Sequence, residues 1–240
     1  MTGGGGGSAP SGAPRSGAES RTTVILDRDG TLLDFYEMFH RFVLDLHEEQ
    51  GATPPPREEI LGFAYWSAIT SGKLHIGSVR VLDRVDEVAR RYMPHGKLYP
   101  GVVEMLTALS GAGVRLALVS SWVGTDPTVT LLERYEVRHC FGPVLTRDDL
   151  AARSEGASDA DSKVELARRA LEEIGHRPGD RLYVVGDTAS DIALGRRLSA
   201  AVVGVRTGNG GSMAAQGTPE GPDVLLPSAA ELDTLVLGGQ

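Results

Sequence analysis

The chain has 240 residues, 41% of them hydrophobic and 23% charged, which is enough apolar material for one globular unit or a core with a subdomain. Its formal net charge of -8, with no cluster of Lys and Arg, argues against a nucleic-acid partner, because binding a phosphate backbone depends on such clusters. No apolar run approaches the roughly 18 residues of a membrane span, and the N-terminus lacks the basic-then-apolar pattern of a signal peptide, so a soluble cytoplasmic protein is expected, with no membrane partner.

Residues 1–21 (MTGGGGGSAPSGAPRSGAESR) carry almost no bulky apolar side chain and cannot offset the entropy of ordering, so a disordered tail is expected there. Beyond it, short apolar runs at 24–26, 114–119, 143–145, 182–185, 201–205 and 223–226 read as strands buried on both faces. Helical patterns at 102–112, 128–137, 163–175 and 190–198 alternate with them, which makes the chain after residue 100 a βαβ series with a parallel sheet. Residues 35–98 break this rhythm with three helical patterns, near 35–50, 57–71 and 79–93, separated by TPPP and SGKLHIG. The segment reads as a small all-helical subdomain inserted into an α/β core of residues 22–34 and 99–240. Phe63, Tyr65 and Trp66 are expected in its core. The single Cys140 cannot form an internal disulfide, in keeping with a reducing compartment; a thiol/imidazole pair with His139 is conceivable, but neighbours on an extended chain point apart, so a buried structural Cys is expected.

In an open parallel sheet, ligands bind outside the carboxyl ends of the strands, so the residue after each apolar run is where function is sought. Those residues are Asp27, Ser120 and Asp187, with Asp191 four positions further on and Lys163 opening the helix before the last of these strands. Asp27 and Asp29 alternate on an extended backbone and so project to one side. Two carboxylates so close need a cation between them or a proton on one of them. With Asp187 added, the set is rich in oxygen and free of His and Cys; it selects a hard ion, Mg²⁺, and points to phosphoryl chemistry. Lysine is the uncommon choice in this chain, since Lys73, Lys97 and Lys163 are the only lysines among 24 basic residues.

Each residue also has a structural reading. Ser120 could cap a turn, Lys163 could be a solvated helix residue, and Thr188 to Asp191 has the form of a helix capping box. A calcium loop starting at Asp27 is excluded, because its sixth and twelfth positions would be Leu32 and Met38 rather than Gly and Glu.

The segment Asp27-Arg28-Asp29-Gly30-Thr31 after one strand, Ser120 after a second, Lys163, and Gly186-Asp187-Thr188-Ala189-Ser190-Asp191 after a later one resemble, in order, the four motifs of the haloacid dehalogenase-like hydrolase superfamily, in its phosphoglycolate-phosphatase-like branch. One departure is Val164, where a proline commonly follows the motif lysine. The resemblance implies a Rossmann-like, doubly wound core with a helical cap inserted after the first strand. It implies Asp27 as nucleophile, Asp29 as general acid and base, and Ser120, Lys163 and Gly30 around the phosphate. Mg²⁺ would be held by Asp27, the Asp29 carbonyl, Asp187 and Asp191. The implied activity is Mg²⁺-dependent hydrolysis of a small phosphorylated metabolite, phosphoglycolate or a sugar phosphate, through an aspartyl-phosphate, by a monomer or homodimer. Asp29 argues against the dehalogenases and phosphonate hydrolases of the superfamily, which lack an acid there. A phosphomutase or phosphotransferase, or a silent ligand- or protein-binding relative, remains as an alternative. In the cap, Lys73, His75, Arg80 and Arg84 are candidates for substrate contact by charge alone, and a solvated face is the favoured reading of each.

Overall fold

The structure is a computed structural model that describes residues 21–151 and 159–238; the expected tail lies outside the described residues except for Arg21. The first strand, β1 (Thr22–Leu26), is buried along its whole length, as its apolar run requires. It leads through a tight turn into β2 (Leu33–Asp34) and then α1 (Tyr36–Glu49), α2 (Arg57–Ile60), α3 (Phe63–Thr70), the hairpin β3 (His75–Ile76) and β4 (Val79–Arg80), α4 (Glu87–Arg91) and β5 (Lys97–Leu98). The rest is a regular alternation: α5 (Val102–Gly111), β6 (Arg115–Val119), α6 (Thr125–Arg134), β7 (Phe141–Leu145), α7 (Asp159–Glu173), β8 (Arg181–Gly186), α8 (Ala189–Arg197), β9 (Ala201–Val205), β10 (Val224–Leu226) and α9 (Leu232–Gly238).

Six strands form one parallel sheet in the order β10-β9-β8-β1-β6-β7. The chain winds outward on one side of β1 through β6 and β7, and on the other through β8, β9 and β10. The order therefore reverses at β1, where Leu26 lies level with Leu118 of β6 and Val185 of β8. Alternate strand residues feed two cores. Ile25, Ala117, Val119 and Val184 pack with Leu166, Ala167 and Ala170 of α7 and Leu194 of α8. Val24, Leu26, Leu116 and Leu118 pack with α5, α6 and α9, and this core continues into the inserted segment through Phe35, Met38 and Phe42. The expected doubly wound architecture is present.

The inserted segment is tied off where it leaves and rejoins the core: β2 and β5 are antiparallel, pairing Leu33 with Leu98 and Asp34 with Lys97. Its interior differs from the all-helical expectation. The helix expected over 79–93 is replaced by strand β4, a 3-10 turn at Val81–Asp83 and the short α4, because Ile76 and Val79 pair across a hairpin whose first loop residue, Gly77, takes φ +56°. The helix expected over 57–71 is interrupted at Leu61 and Gly62. Tyr65 is buried as expected, Trp66 is half-buried, and the Phe63 side chain lies outside the described residues. Among the described residues no helix is long and apolar enough to cross a membrane.

Helix α8 lies so close to β9 that a Cβ at Gly195 would collide with a methyl of Val202. Gly195→Ala should therefore lower stability by about 1–3 kcal/mol through overpacking, although alanine is favoured in a helix by about 1 kcal/mol. Chemical denaturation of Gly195→Ala, with and without Val202→Ala, checks this; the second substitution should recover part of the loss.

Candidate active site

The carboxyl ends of β1, β6 and β8 meet at the reversal point and bring the expected residues together. Asp27 extends the ladder by one residue, its N–H donating to Val185 O at 2.9 Å, and Ser120 does the same toward Leu145 O at 3.0 Å. Asp27, Asp187 and Asp191 are all buried, and each can offer a carboxylate oxygen within 4.8 Å of the others. Lys163, only 3% exposed, reaches between two of them: its Nζ donates to Asp27 Oδ1 at 2.9 Å and to Asp191 Oδ1 at 2.5 Å. The solvated-helix reading of Lys163 is thereby replaced by a buried one.

Asp191 serves two functions at once. Its Oδ2 accepts from the Thr188 N–H at 3.1 Å and the Thr188 hydroxyl at 2.7 Å, so the capping-box reading holds as well as the site reading. Both of its oxygens are thus engaged by protein donors. Asp187 accepts the Asn209 N–H at 2.6 Å and the Thr31 hydroxyl at 3.4 Å.

Asp29 stands slightly apart. Its Oδ2 accepts from Arg28 Nε at 2.9 Å and from the Ser120 hydroxyl at 3.3 Å, while its Oδ1 is buried with no hydrogen-bond partner. Arg28 is itself buried, anchored to Val123 O at 2.9 Å and the Thr128 hydroxyl at 2.7 Å, so Asp29 is held from behind by a fixed guanidinium. Ser120 Oγ also accepts the Trp122 N–H at 3.2 Å. Gly30 departs from the phosphate-binding expectation. Its N–H donates to Leu33 O at 2.9 Å and is unavailable to a ligand. Its role is steric: at φ +80° its Cα lies against the Asp187 carboxylate, where a Cβ would collide.

Burial pushes the Asp27 carboxyl well above the usual range, with Lys163 pulling in the opposite direction and Asp191 and Asp187 adding to the rise. Burial likewise lifts Asp187 to about 7, with the Asn209 N–H opposing it. Burial works against the charge on Lys163, but Asp191 and Asp27 more than offset this and hold its pKa above the ordinary lysine value. Ionised together, three buried carboxyl groups around one buried ammonium would leave an excess of two negative charges in a low-dielectric site, and without a cation burial favours protons on Asp27 and Asp187 instead. A divalent cation carries the opposite of that excess, and carboxylate oxygens are the donors a hard ion takes, so the residues present fit Mg²⁺.

The site forms the floor of a cavity of about 560 Å³. Its walls come from the inserted segment and from residues the sequence reading did not single out. Trp66 and Trp122 meet edge to face at 6.1 Å between ring centres. Asp86 of the insertion accepts from Trp122 Nε1 at 2.9 Å and pairs with Arg147 at 2.5 Å. The cap charges nominated by the sequence lie elsewhere: Arg80 pairs with Asp83, Arg84 pairs with Glu49 and Glu87, and neither they nor Lys73 and His75 line this cavity. Asn209 could have been sought in the Gly-rich GNGG that follows the β9 run. Arg28, Asp86 and Arg147 carry no such local signal.

Residues 22–198 match the haloacid dehalogenase-like hydrolase family, and the chain belongs to it. It is similar to a phosphoglycolate phosphatase of Agrobacterium fabrum, 29% identical over 52% of this chain and 53% of the relative, so the chain spans about half the length of that protein. It is also similar to a phosphoglycolate phosphatase of Synechococcus elongatus, 25% identical over 77% of this chain and 84% of the relative. The structure titled Protein Tyrosine Kinase A of Mycobacterium tuberculosis superposes with a TM-score of 0.66 at 25% identity, over 92% of this chain and 100% of that one.

An acid whose pKa is higher folded than unfolded keeps protons that the unfolded chain has already released. Between the ordinary Asp value of 3.8 and about 7, Asp187 therefore makes folding less favourable as pH rises. The melting temperature of metal-free protein should fall between about pH 5 and about pH 8, and Mg²⁺, which competes with those protons, should raise it more at the higher pH. Thermal melts with and without Mg²⁺ check this, and Asp187→Asn should abolish most of the Mg²⁺ effect.

Proposed function

We propose that the chain is a Mg²⁺-dependent phosphatase that hydrolyses a small phosphorylated metabolite through an aspartyl-phosphate, with residues 35–98 acting as a cap over the site. The observation that carries this reading is the cluster of three buried carboxyl groups, Asp27, Asp187 and Asp191, at a cavity that Asp27 and Asp29 line, with an Asp29 oxygen left without a partner. The phosphatase relatives support the same chemistry.

In the first half-reaction, an Asp27 carboxylate oxygen attacks phosphorus. The bond from phosphorus to the ester oxygen breaks, its electron pair leaves on that oxygen, and Asp29 supplies the proton that makes the leaving group an alcohol. In the second, Asp29 takes a proton from water, the water oxygen attacks phosphorus, and the bond to Asp27 breaks to release phosphate. Asp29 Oδ1 is the atom suited to these transfers, since Oδ2 is held by Arg28 and Ser120. Lys163 holds Asp27 in place and offsets charge as it builds on the phosphoryl oxygens. The Ser120 hydroxyl, which donates to Asp29, lines the cavity beside Asp27 and can turn to a phosphoryl oxygen. The cation would be held by Asp27, Asp187 and the Asp29 carbonyl, with Asp191 behind them because its oxygens are already engaged by Lys163 and Thr188. When bound, Mg²⁺ supplies charge neutralisation between an anionic nucleophile and an anionic ester. The single free, buried Cys140 suits a cytoplasmic setting.

A phosphotransferase is the second reading, favoured by the similarity to the structure titled as a protein tyrosine kinase. It would use the same first step and deliver the phosphoryl group to an acceptor hydroxyl instead of water.

Phosphate release from a panel of small esters, with and without Mg²⁺, tests the proposal. Release should require Mg²⁺ and fall by about 10⁴-fold or more in Asp27→Asn. Asp29→Asn should lose roughly 10²–10⁴-fold, the usual worth of a general acid and base. Loss of the ester without free phosphate, recovered as a new phosphoryl ester, would favour the transferase.

A further inference from the structure

We propose that the leaving group this site accepts is aromatic and uncharged, so that the preferred substrate is a phosphate monoester carrying an aryl or arylmethyl group, and not a small carboxylated or doubly phosphorylated one. The inference rests on the phosphatase reading of the cavity floor and concerns the rest of its lining. Sharing the cavity with Asp27 and Asp29 are Phe35, Trp66, Ile69, Leu82, Val85 and Trp122. The two indoles and Phe35 form a continuous aromatic surface: Trp66 lies 6.1 Å from Trp122 and 6.2 Å from Phe35, with the rings inclined to one another. Such walls present ring faces and edges to a planar guest.

Charge selects in the same direction. Among the described residues lining the cavity, the cations are Lys163 and Arg147. Lys163 lies between Asp27 and Asp191, and Arg147 pairs with Asp86 at 2.5 Å. A carboxylate or second phosphate on the leaving group would meet a cation already neutralised and, beside it, the like charge of Asp86. The Trp122 N–H is also taken by Asp86, so that indole offers its ring rather than a donor. The other polar lining residues outside the acids and cations, Thr70, Ser120, Ser121, Thr188, Ser190 and Asn209, are uncharged.

Size agrees. Pockets that bury small molecules typically span about 300–1,000 Å³, and this one has about 560 Å³. A second cavity of about 240 Å³ shares Phe35, Trp66 and Asn209 with it and is lined further by Tyr36, Phe39 and Ile60. The 560 Å³ cavity alone is larger than a two-carbon acid would fill.

The test must separate the ring from leaving-group reactivity, so the esters compared are benzyl phosphate, butyl phosphate and phosphoglycolate, each releasing an alkyl alcohol. With Mg²⁺, kcat/KM for benzyl phosphate should exceed that for each of the others by at least about tenfold, the worth of burying a ring. Trp66→Ala should lower the benzyl-to-butyl ratio by about tenfold, and Trp66→Phe should keep it within about threefold. Calorimetry on wild-type protein with Mg²⁺ and the non-hydrolysable benzylphosphonate, ethylphosphonate and phosphonoacetate gives a readout that needs neither turnover nor a variant. Benzylphosphonate should bind at least about tenfold more tightly than the other two. If no ester is hydrolysed but this order holds, the phosphatase reading falls and the aromatic preference stands. If phosphonoacetate binds as well as benzylphosphonate, or phosphoglycolate is turned over as well as benzyl phosphate, the aromatic preference is wrong whatever the activity. An unchanged benzyl-to-butyl ratio in Trp66→Ala would likewise overturn it.

Discussion

The contact on which the site depends is the Lys163 ammonium lodged between Asp27 and Asp191. Removing one partner from a buried ion pair leaves the others uncompensated and costs about 3–5 kcal/mol, so these three side chains stand or fall together. What holds the ammonium there is apolar. Leu166, Ala167 and Ala170 lie three, four and seven positions after Lys163, on the same face of α7, and all are buried against β1, β6 and β8. Docking that stripe on the sheet fixes the height and rotation of the helix, and the lysine one turn earlier is carried to the strand ends. A single nitrogen with three donors suits the space between two carboxylates better than the planar fork of arginine, which accounts for a lysine in a chain that otherwise uses arginine.

The acids are crowded by backbone as much as by charge. Gly30 and Gly208 both press on the Asp187 carboxylate at positive φ, and a side chain at either would displace it. Two loops from distant parts of the chain can close over one carboxylate only because neither has a Cβ there. The same closeness buries Asp187 completely, and burial is what lifts its pKa. Asp191 is placed by a different device, the first turn of α8, where N–H donors and the helix dipole favour a negative group. Steric packing, capping and one ammonium therefore assemble a buried charge that none of them balances alone.

The residues legible in the sequence are those set by the ends of strands. Asp27, Ser120 and Asp187 follow apolar runs whose direction and burial are forced by composition, so their convergence needs only the rule that parallel strands end on one side. Arg28 was not legible because its partners, Val123 and Thr128, lie 95 and 100 positions away. The charges of the inserted segment could not be assigned to the site from the sequence, because charge alone does not say which face of a short element looks inward. Arg80 and Arg84 have acids three residues on, Asp83 and Glu87, and are satisfied locally. The helix expected over 79–93 failed for a related reason: its apolar spacing fits a helical period, but the hairpin pairing of Ile76 with Val79 takes the first residues away from it.

Floor and walls have opposite characters, and Asp86 links them. Through Trp122 it holds one indole against the other, and through Arg147 it offsets the charge of a cation on the wall. One carboxylate from the inserted segment thus sets both the shape and the polarity of the upper cavity. The pair is partly exposed, 24% for Arg147 and 43% for Asp86, and such pairs contribute only about 0–1 kcal/mol each. That is small against the buried contacts that hold the rest of the fold. Breaking this contact between the inserted segment and the core would free the guanidinium and the indole N–H together and make the cavity wall more polar. With the contact made, the apolar side chains of the wall limit the access of water to the acids they share the cavity with, and in a drier space the electrostatic interactions among Asp27, Lys163 and a bound ligand act with greater force.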